Sequence, residues 1–155
     1  MIIEIPNSET IELKNIVFDY NGTIAIDGEL IEGVQTYIDE LSSIFDFYVI
    51  TADTYGSVEQ QLQNTKCKVI KIEKDFQDIK KLDFIKKIGS ANTLSVGNGR
   101  NDRLMLKESI LGIGILQDEG ICTETLMNSD ILVKSIFDVF EFLKNKNRLV
   151  ATLRN

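Results

Sequence analysis

Short apolar runs rich in β-branched residues recur along this chain, and the stretches between them change to a helical spacing of apolar positions. NIVFDY, FDFYVIT, KCKVIKI, NTLSVG, LGIGIL and ILVKS are such runs. They suit parallel strands covered on both faces. Residues 33–44, 57–64, 78–88, 102–108 and 135–144 have the helical period. Strand and helix therefore alternate, which predicts right-handed βαβ crossovers and an α/β fold. The expected architecture is a Rossmann-like, doubly wound, mainly parallel sheet in three αβα layers, with its site off the carboxyl ends of the strands. Asp19, Thr51 and Gly97 each end or follow such a strand.

Two segments break the alternation. IIEI and TIELK flank a short polar link and predict an N-terminal hairpin. TIAIDGELIE places Asp27-Gly28 between two alternating stretches, a strong two-residue hairpin signal because both turn positions need positive φ. This small flap, residues 23–32, is expected to project beside the site just after Asp19.

Composition adds limits. A chain of 155 residues that is 43% apolar can bury one core, and neither a linker nor an internal repeat breaks it, so residues 1–155 are expected to form a single domain. The net charge of −7 argues against a nucleic-acid binder, which needs a basic face. Neither a signal-peptide pattern nor an apolar run of bilayer length is present, so the chain reads as a cytoplasmic protein with no membrane partner. Cys67 and Cys122 are far apart and read as small core residues in a reducing compartment. The absence of histidine removes imidazole-dependent hydrolysis and His-rich zinc sites. Carboxylate, amide, hydroxyl and lysine chemistry remain.

Three segments at strand ends fit phosphate chemistry. In FDYNGT, the Asp19 carboxylate emerges at a strand end while Gly22 turns the chain and bares amides to an anion. In YVITAD, Thr51 offers a hydroxyl and an amide to a phosphoryl oxygen. In SVGNGRND, Asn98, Asn101 and Asp102 supply oxygen atoms suited to a hard cation as a helix begins. Each segment has an ordinary structural explanation as a turn or cap; their order gives them weight together.

Together these segments resemble the haloacid dehalogenase superfamily of phosphohydrolases, in its capless form. FDYNGT is similar to the first motif, Thr51 to the second, a lysine to the third and GNGRND to the fourth. Within that superfamily the likeness is nearest to the phosphorylation domain of P-type ATPases, with Leu104, Met105 and Leu106 matching the apolar segment after its fourth motif. The resemblance implies a Mg²⁺-dependent phosphatase that forms an aspartyl phosphate on Asp19. It implies Mg²⁺ held by Asp19, the Asn21 carbonyl and Asn98, with Asp102 acting through water, and phosphate cradled by Gly22, Thr51, Ala52 and a lysine. Among Lys80, Lys81, Lys86 and Lys87, Lys81 precedes Ile85 and Ile88 at the intervals of the ATPase pattern, with Lys80 the second choice.

The chain departs from that pattern at two places. Asn21 stands where most of these phosphatases have an acid/base aspartate, and an amide cannot exchange a proton near neutral pH. Asn98 replaces a metal-binding aspartate, which weakens Mg²⁺ binding. The expectation is a slow phosphohydrolase, the alternative a catalytically impaired phosphate- or metal-binding regulatory module. With no cap, an open site would take a phosphorylated small molecule or a phosphoprotein, or a second subunit of a homo-oligomer would cover it. Arg100 and Arg103 would either meet an anionic substrate or solvate the helix start. The tail KNRLVATLRN would pack on the sheet or on a partner.

Overall fold

The computed structural model describes residues 1–53 and 56–154. Strands β1 (Ile2–Glu4) and β2 (Thr10–Glu12) form the expected antiparallel hairpin, pairing Ile3 with Ile11. Strand β3 (Asn15–Asp19) follows, then the two-residue strands β4 (Ala25–Ile26) and β5 (Glu29–Leu30). Asp27 and Gly28 turn between these with φ of 51° and 81°. Positive φ at both positions is the primed-turn geometry that the Asp-Gly pair predicts.

The rest alternates: α1 (Val34–Leu41), β6 (Asp46–Thr51), α2 (Ser57–Leu62), β7 (Lys68–Lys71), α3 (Gln77–Ile88) and β8 (Thr93–Gly97). It continues with α4 (Arg103–Glu108), β9 (Leu111–Ile115), α5 (Thr123–Leu126), β10 (Ile131–Val133), α6 (Ile136–Lys144) and α7 (Lys146–Leu153). Six strands build one parallel sheet in the order β7-β6-β3-β8-β9-β10. The strand order reverses between β3 and β8, and in doubly wound sheets ligands bind in the crevice at such a reversal. No inserted cap domain occurs among the described residues, and none of their helices is long and apolar enough to cross a membrane.

Period-two alternation sends different residues to the two faces. Ile16, Phe18, Phe47, Val49, Leu94, Val96 and Ile113 enter the larger core, beneath α1, α2 and α6. Val17 and Ile50 face the opposite way, with Ile85 of α3 and Met105 and Leu106 of α4. On that second face β8 and β9 present Ser95 and Gly112. The Ser95 hydroxyl donates to the Met105 carbonyl at 3.2 Å, and a Cβ at Gly112 would lie 2.4 Å from the Leu106 carbonyl oxygen. Small residues there let α4 lie close on the sheet. The C-terminal segment forms α7, which packs on β1 and α6 with Leu149 buried.

Candidate active site

Five pieces of chain meet at the carboxyl edge of the sheet. β3 delivers Asp19, whose side chain keeps 13% exposure. The next turn curls on the Tyr20 carbonyl, which accepts the N–H groups of Ile24 and Ala25 at 3.0 Å. Gly22 passes through φ 75°. Its missing Cβ makes room for Asn98, since a Cβ there would stand 2.2 Å from the Asn98 amide nitrogen. Gln117, after β9, fixes this turn by donating to the Thr23 carbonyl at 2.9 Å while accepting the Ile136 N–H at 2.9 Å.

β6 ends at Thr51, whose hydroxyl accepts the Asp53 N–H at 3.1 Å. β8 ends at Gly97, where a Cβ would lie 2.5 Å from the Asp102 carboxyl carbon. Asp102 can therefore fold back beneath its own strand. Its Oδ2 accepts the Gly99 N–H at 2.8 Å, and its Oδ1 accepts from the Lys81 ammonium at 2.6 Å. Lys81 also donates to Asp19 Oδ1 at 2.6 Å, and is 1% exposed. Lys80, one position earlier on α3, instead pairs with Glu73. The helix register thus turns Lys81 inward and Lys80 outward.

Two carboxylates and one ammonium share this buried spot. Burial, reinforced by the Asp102 charge, pushes the Asp19 carboxyl up to about 7 against the pull of Lys81. Burial alone would lower Lys81, but Asp102 and Asp19 outweigh it and hold its pKa above the usual lysine range. Burial, then the charges of Glu29 and Asp53, push the Tyr20 hydroxyl up to about 12.

Asp19, Asn21, Thr51, Ala52 and Asn98 line a cavity of ≈ 460 Å³. Gly22 lies under Asn98, and Lys81 and Asp102 stand behind Asp19. Hard oxygen donors of the type Mg²⁺ takes, from Asp19, Asn98 and Asn21, thus border one space. No group of three or more His, Cys, Asp or Glu side chains that could hold a metal ion exists among the described residues, and Asp19 is the one carboxylate among these three donors.

Sequence reasoning missed several residues of this cavity. Gln77, which accepts from the amide of the anticipated Asn101 at 2.7 Å, lines it, as do Asp53 and Glu119. Glu119 lies in the loop after β9, and loops after parallel strands gather at one edge, so the topology already marked that loop. Arg103 pairs with Asp78 at 2.8 Å and Arg100 with Glu124 at 3.4 Å, so carboxylates of the same chain take up both guanidiniums. Cys67 packs against the larger core as expected. Cys122 does not: half-buried at the start of α5, it donates its backbone N–H to the Asn98 carbonyl at 2.8 Å.

No family model matches the chain. Over 82 residues it is 44% identical to the uncharacterized protein MJ0073 of Methanocaldococcus jannaschii, which covers 53% of this chain and 83% of that protein. Among solved structures it resembles the magnesium- and phosphate-bound 3-deoxy-D-manno-octulosonate 8-phosphate phosphatase of Moraxella catarrhalis, with TM-score 0.68 and 18% identity over 92% of this chain and 94% of that one. The cobalt-bound phosphatase of the same name from Haemophilus influenzae gives TM-score 0.69 at 10% identity, covering 93% and 94%. A phosphoserine phosphatase without ligand gives 0.67 at 16%, covering 86% and 99%. The shared fold is the Rossmann-like α/β architecture of haloacid dehalogenase-like proteins that the motifs led one to expect.

Proposed function

The chain belongs to the family of the M. jannaschii protein and has the fold of haloacid dehalogenase phosphatases, and from that premise we propose that it is a phosphohydrolase that transfers a phosphoryl group onto Asp19. The observation that carries this reading is the placement of Asp19, bonded to buried Lys81 and open to a cavity lined by Thr51 and Asn98, at the strand-order reversal.

An oxygen of Asp19 forms a bond to phosphorus as the ester P–O bond breaks, giving an aspartyl phosphate and a released alkoxide. Lys81 holds the attacking carboxylate in place, and its charge opposes the negative charge gathered there. Thr51 and the Ala52 backbone are placed to bind phosphoryl oxygens. Asp102, bonded to Gly99 and Lys81, orients the lysine. Asp19, Asn98 and the Asn21 carbonyl would hold Mg²⁺, which supplies charge neutralisation on the phosphoryl oxygens. Asn21 cannot give the leaving oxygen a proton or take one from water, so both the departure of poor leaving groups and clearance of the aspartyl phosphate are slow.

The test is Mg²⁺-dependent release of phosphate from alkyl and aryl phosphate esters. Wild type releases phosphate, Asp19→Asn falls to background, and Asn21→Asp accelerates turnover about 100-fold, more for alkyl than aryl esters. A wild-type rate no higher than that of Asp19→Asn overturns the reading. The alternative, a phosphate-binding regulatory module, draws on the amides at Asn21 and Asn98; it predicts a thermal shift with Mg²⁺ or phosphate and no turnover.

A further inference from the structure

The hairpin of β4 and β5 is too short to hold its own shape, because a two-residue ladder lies well below what an isolated hairpin needs. Ala25 is buried in the larger core with Leu30 packed against it, which anchors the base, and side chains from two other elements fix the tip. Gln61 of α2 accepts the Leu30 N–H on its Oε1 at 2.7 Å and donates its Nε2 to the Gly28 carbonyl at 2.8 Å. One amide thus satisfies both backbone groups on that edge, as a third strand would. On the other side Glu119, from the loop after β9, accepts the Asp27 N–H at 2.9 Å. The Tyr20 hydroxyl adds a longer bond to the Gly28 carbonyl at 3.4 Å.

The anchors come from opposite halves of the sheet, one from the β6 side and one from the β9 side, with the site between them. Gly28 and Glu119 both line the ≈ 460 Å³ cavity that contains Asp19. The hairpin therefore forms part of the cavity wall, and that volume suits a small ligand.

Building on the phosphohydrolase reading, we propose that Gln61 and Glu119 are positioning residues that strap the hairpin across the cavity within a single chain, restricting the site to small phosphomonoesters and excluding phosphate on a protein chain. The strap acts through the backbone of residues 27–30. Neither anchor needs to touch the reacting atoms. Because both lie in the same chain as Asp19, closure requires no second copy.

The experiment compares kcat/KM for p-nitrophenyl phosphate and free phosphoserine with that for a phosphoserine peptide, in wild type and in a Gln61→Ala/Glu119→Ala double variant. Wild type turns over the small esters and leaves the peptide essentially untouched, with specific activity independent of protein concentration. The double variant narrows the ratio of small ester to peptide about tenfold, mainly through a higher KM for the small esters. Glu119→Gln keeps the acceptor for the Asp27 N–H and retains the wild-type ratio. Amide hydrogen exchange gives a readout that does not need turnover: the N–H groups of Asp27 and Leu30 are protected in wild type and exchange faster in the double variant.

Equal turnover of peptide and small esters by wild type, an unchanged ratio in the double variant, or activity that rises steeply with protein concentration overturns the strap. So do unprotected Asp27 and Leu30 amides. If those amides are protected and released as expected but no ester is hydrolysed, the hydrolase reading fails and the substrate limit fails with it, while the anchoring stands.

Discussion

The two faces of the central sheet solve different problems. The face beneath α1 and α6 is filled by large side chains, with Phe18 against Phe47 and Phe140 at ring separations of 6.0 and 5.8 Å, and Tyr37 stacked on Phe140 at 5.0 Å. The face beneath α3 and α4 has a small apolar cluster with Ser95 and Gly112 under α4, and the Lys81 ion cluster sits at its upper end. The first face gains stability from area and contact. The second gives up area so that backbone can approach backbone, which brings Asp102 and Lys81 to Asp19. The same strands serve both faces, because alternation separates the two tasks residue by residue.

Removing the ammonium breaks this contrast most severely. Lys81→Met leaves the Asp19 and Asp102 carboxylates together with no cation, and should cost about 3–5 kcal/mol in urea unfolding. Turnover should vanish with it.

Gly112→Ala should cost about 1–3 kcal/mol, because the new Cβ meets the Leu106 carbonyl and α4 must move out. That displacement pulls on the turn before α4, so kcat/KM per folded molecule should drop as well. Unchanged activity would show that the close approach of α4 serves packing alone.

On the large-residue face, Phe140→Leu loses ring contacts and should cost about 1–2 kcal/mol. Here kcat/KM per folded molecule should stay at the wild-type value. A fall comparable to that of Gly112→Ala would dissolve the division of labour between the faces.

The smallest effect is chemical. Burial, then Asp39, pushes the Cys67 thiol up to about 11, whereas the Glu124 backbone N–H, with Arg100 and against burial, holds Cys122 below the usual thiol range. At pH 8, iodoacetamide should label Cys122, beside the Asn98 turn, about tenfold faster than Cys67, read by mass spectrometry.

Much of this was legible from order and period. The six parallel strands coincide with the six apolar runs, and the Asp-Gly turn fell where its chemistry required. Predicted helices differ at their ends: residues 33–44 became Val34–Leu41 and 57–64 became Ser57–Leu62, since helix ends depend on caps and packing. The four-residue α5 carried no periodic signal because one turn is too short to show a period.

At the site, local sequence placed Asp19, Thr51 and Asn98 at strand ends, for a strand's end is set by where its apolar run stops. Lys81 was distinguishable from Lys80 by its spacing to Ile85. That the Lys81 ammonium would bond both Asp19 and Asp102 was not, because the bond joins residues 62 apart in sequence and depends on how closely α3 and α4 settle on the sheet. The bonds that Gln61, Gln117 and Glu119 make were invisible for the same reason, although the topology marked the loop that carries Glu119. Each of these residues is of an ordinary surface type, and its role arises from the backbone it meets. The sequence by itself determined the strand order's raw material, the location of Asp19 at a strand end and the amides at Asn21 and Asn98, since these follow from residue identity and local pattern. The tertiary structure alone decided which charges share the buried pocket and which side chains hold the hairpin, since those bonds form only between segments that folding brings together.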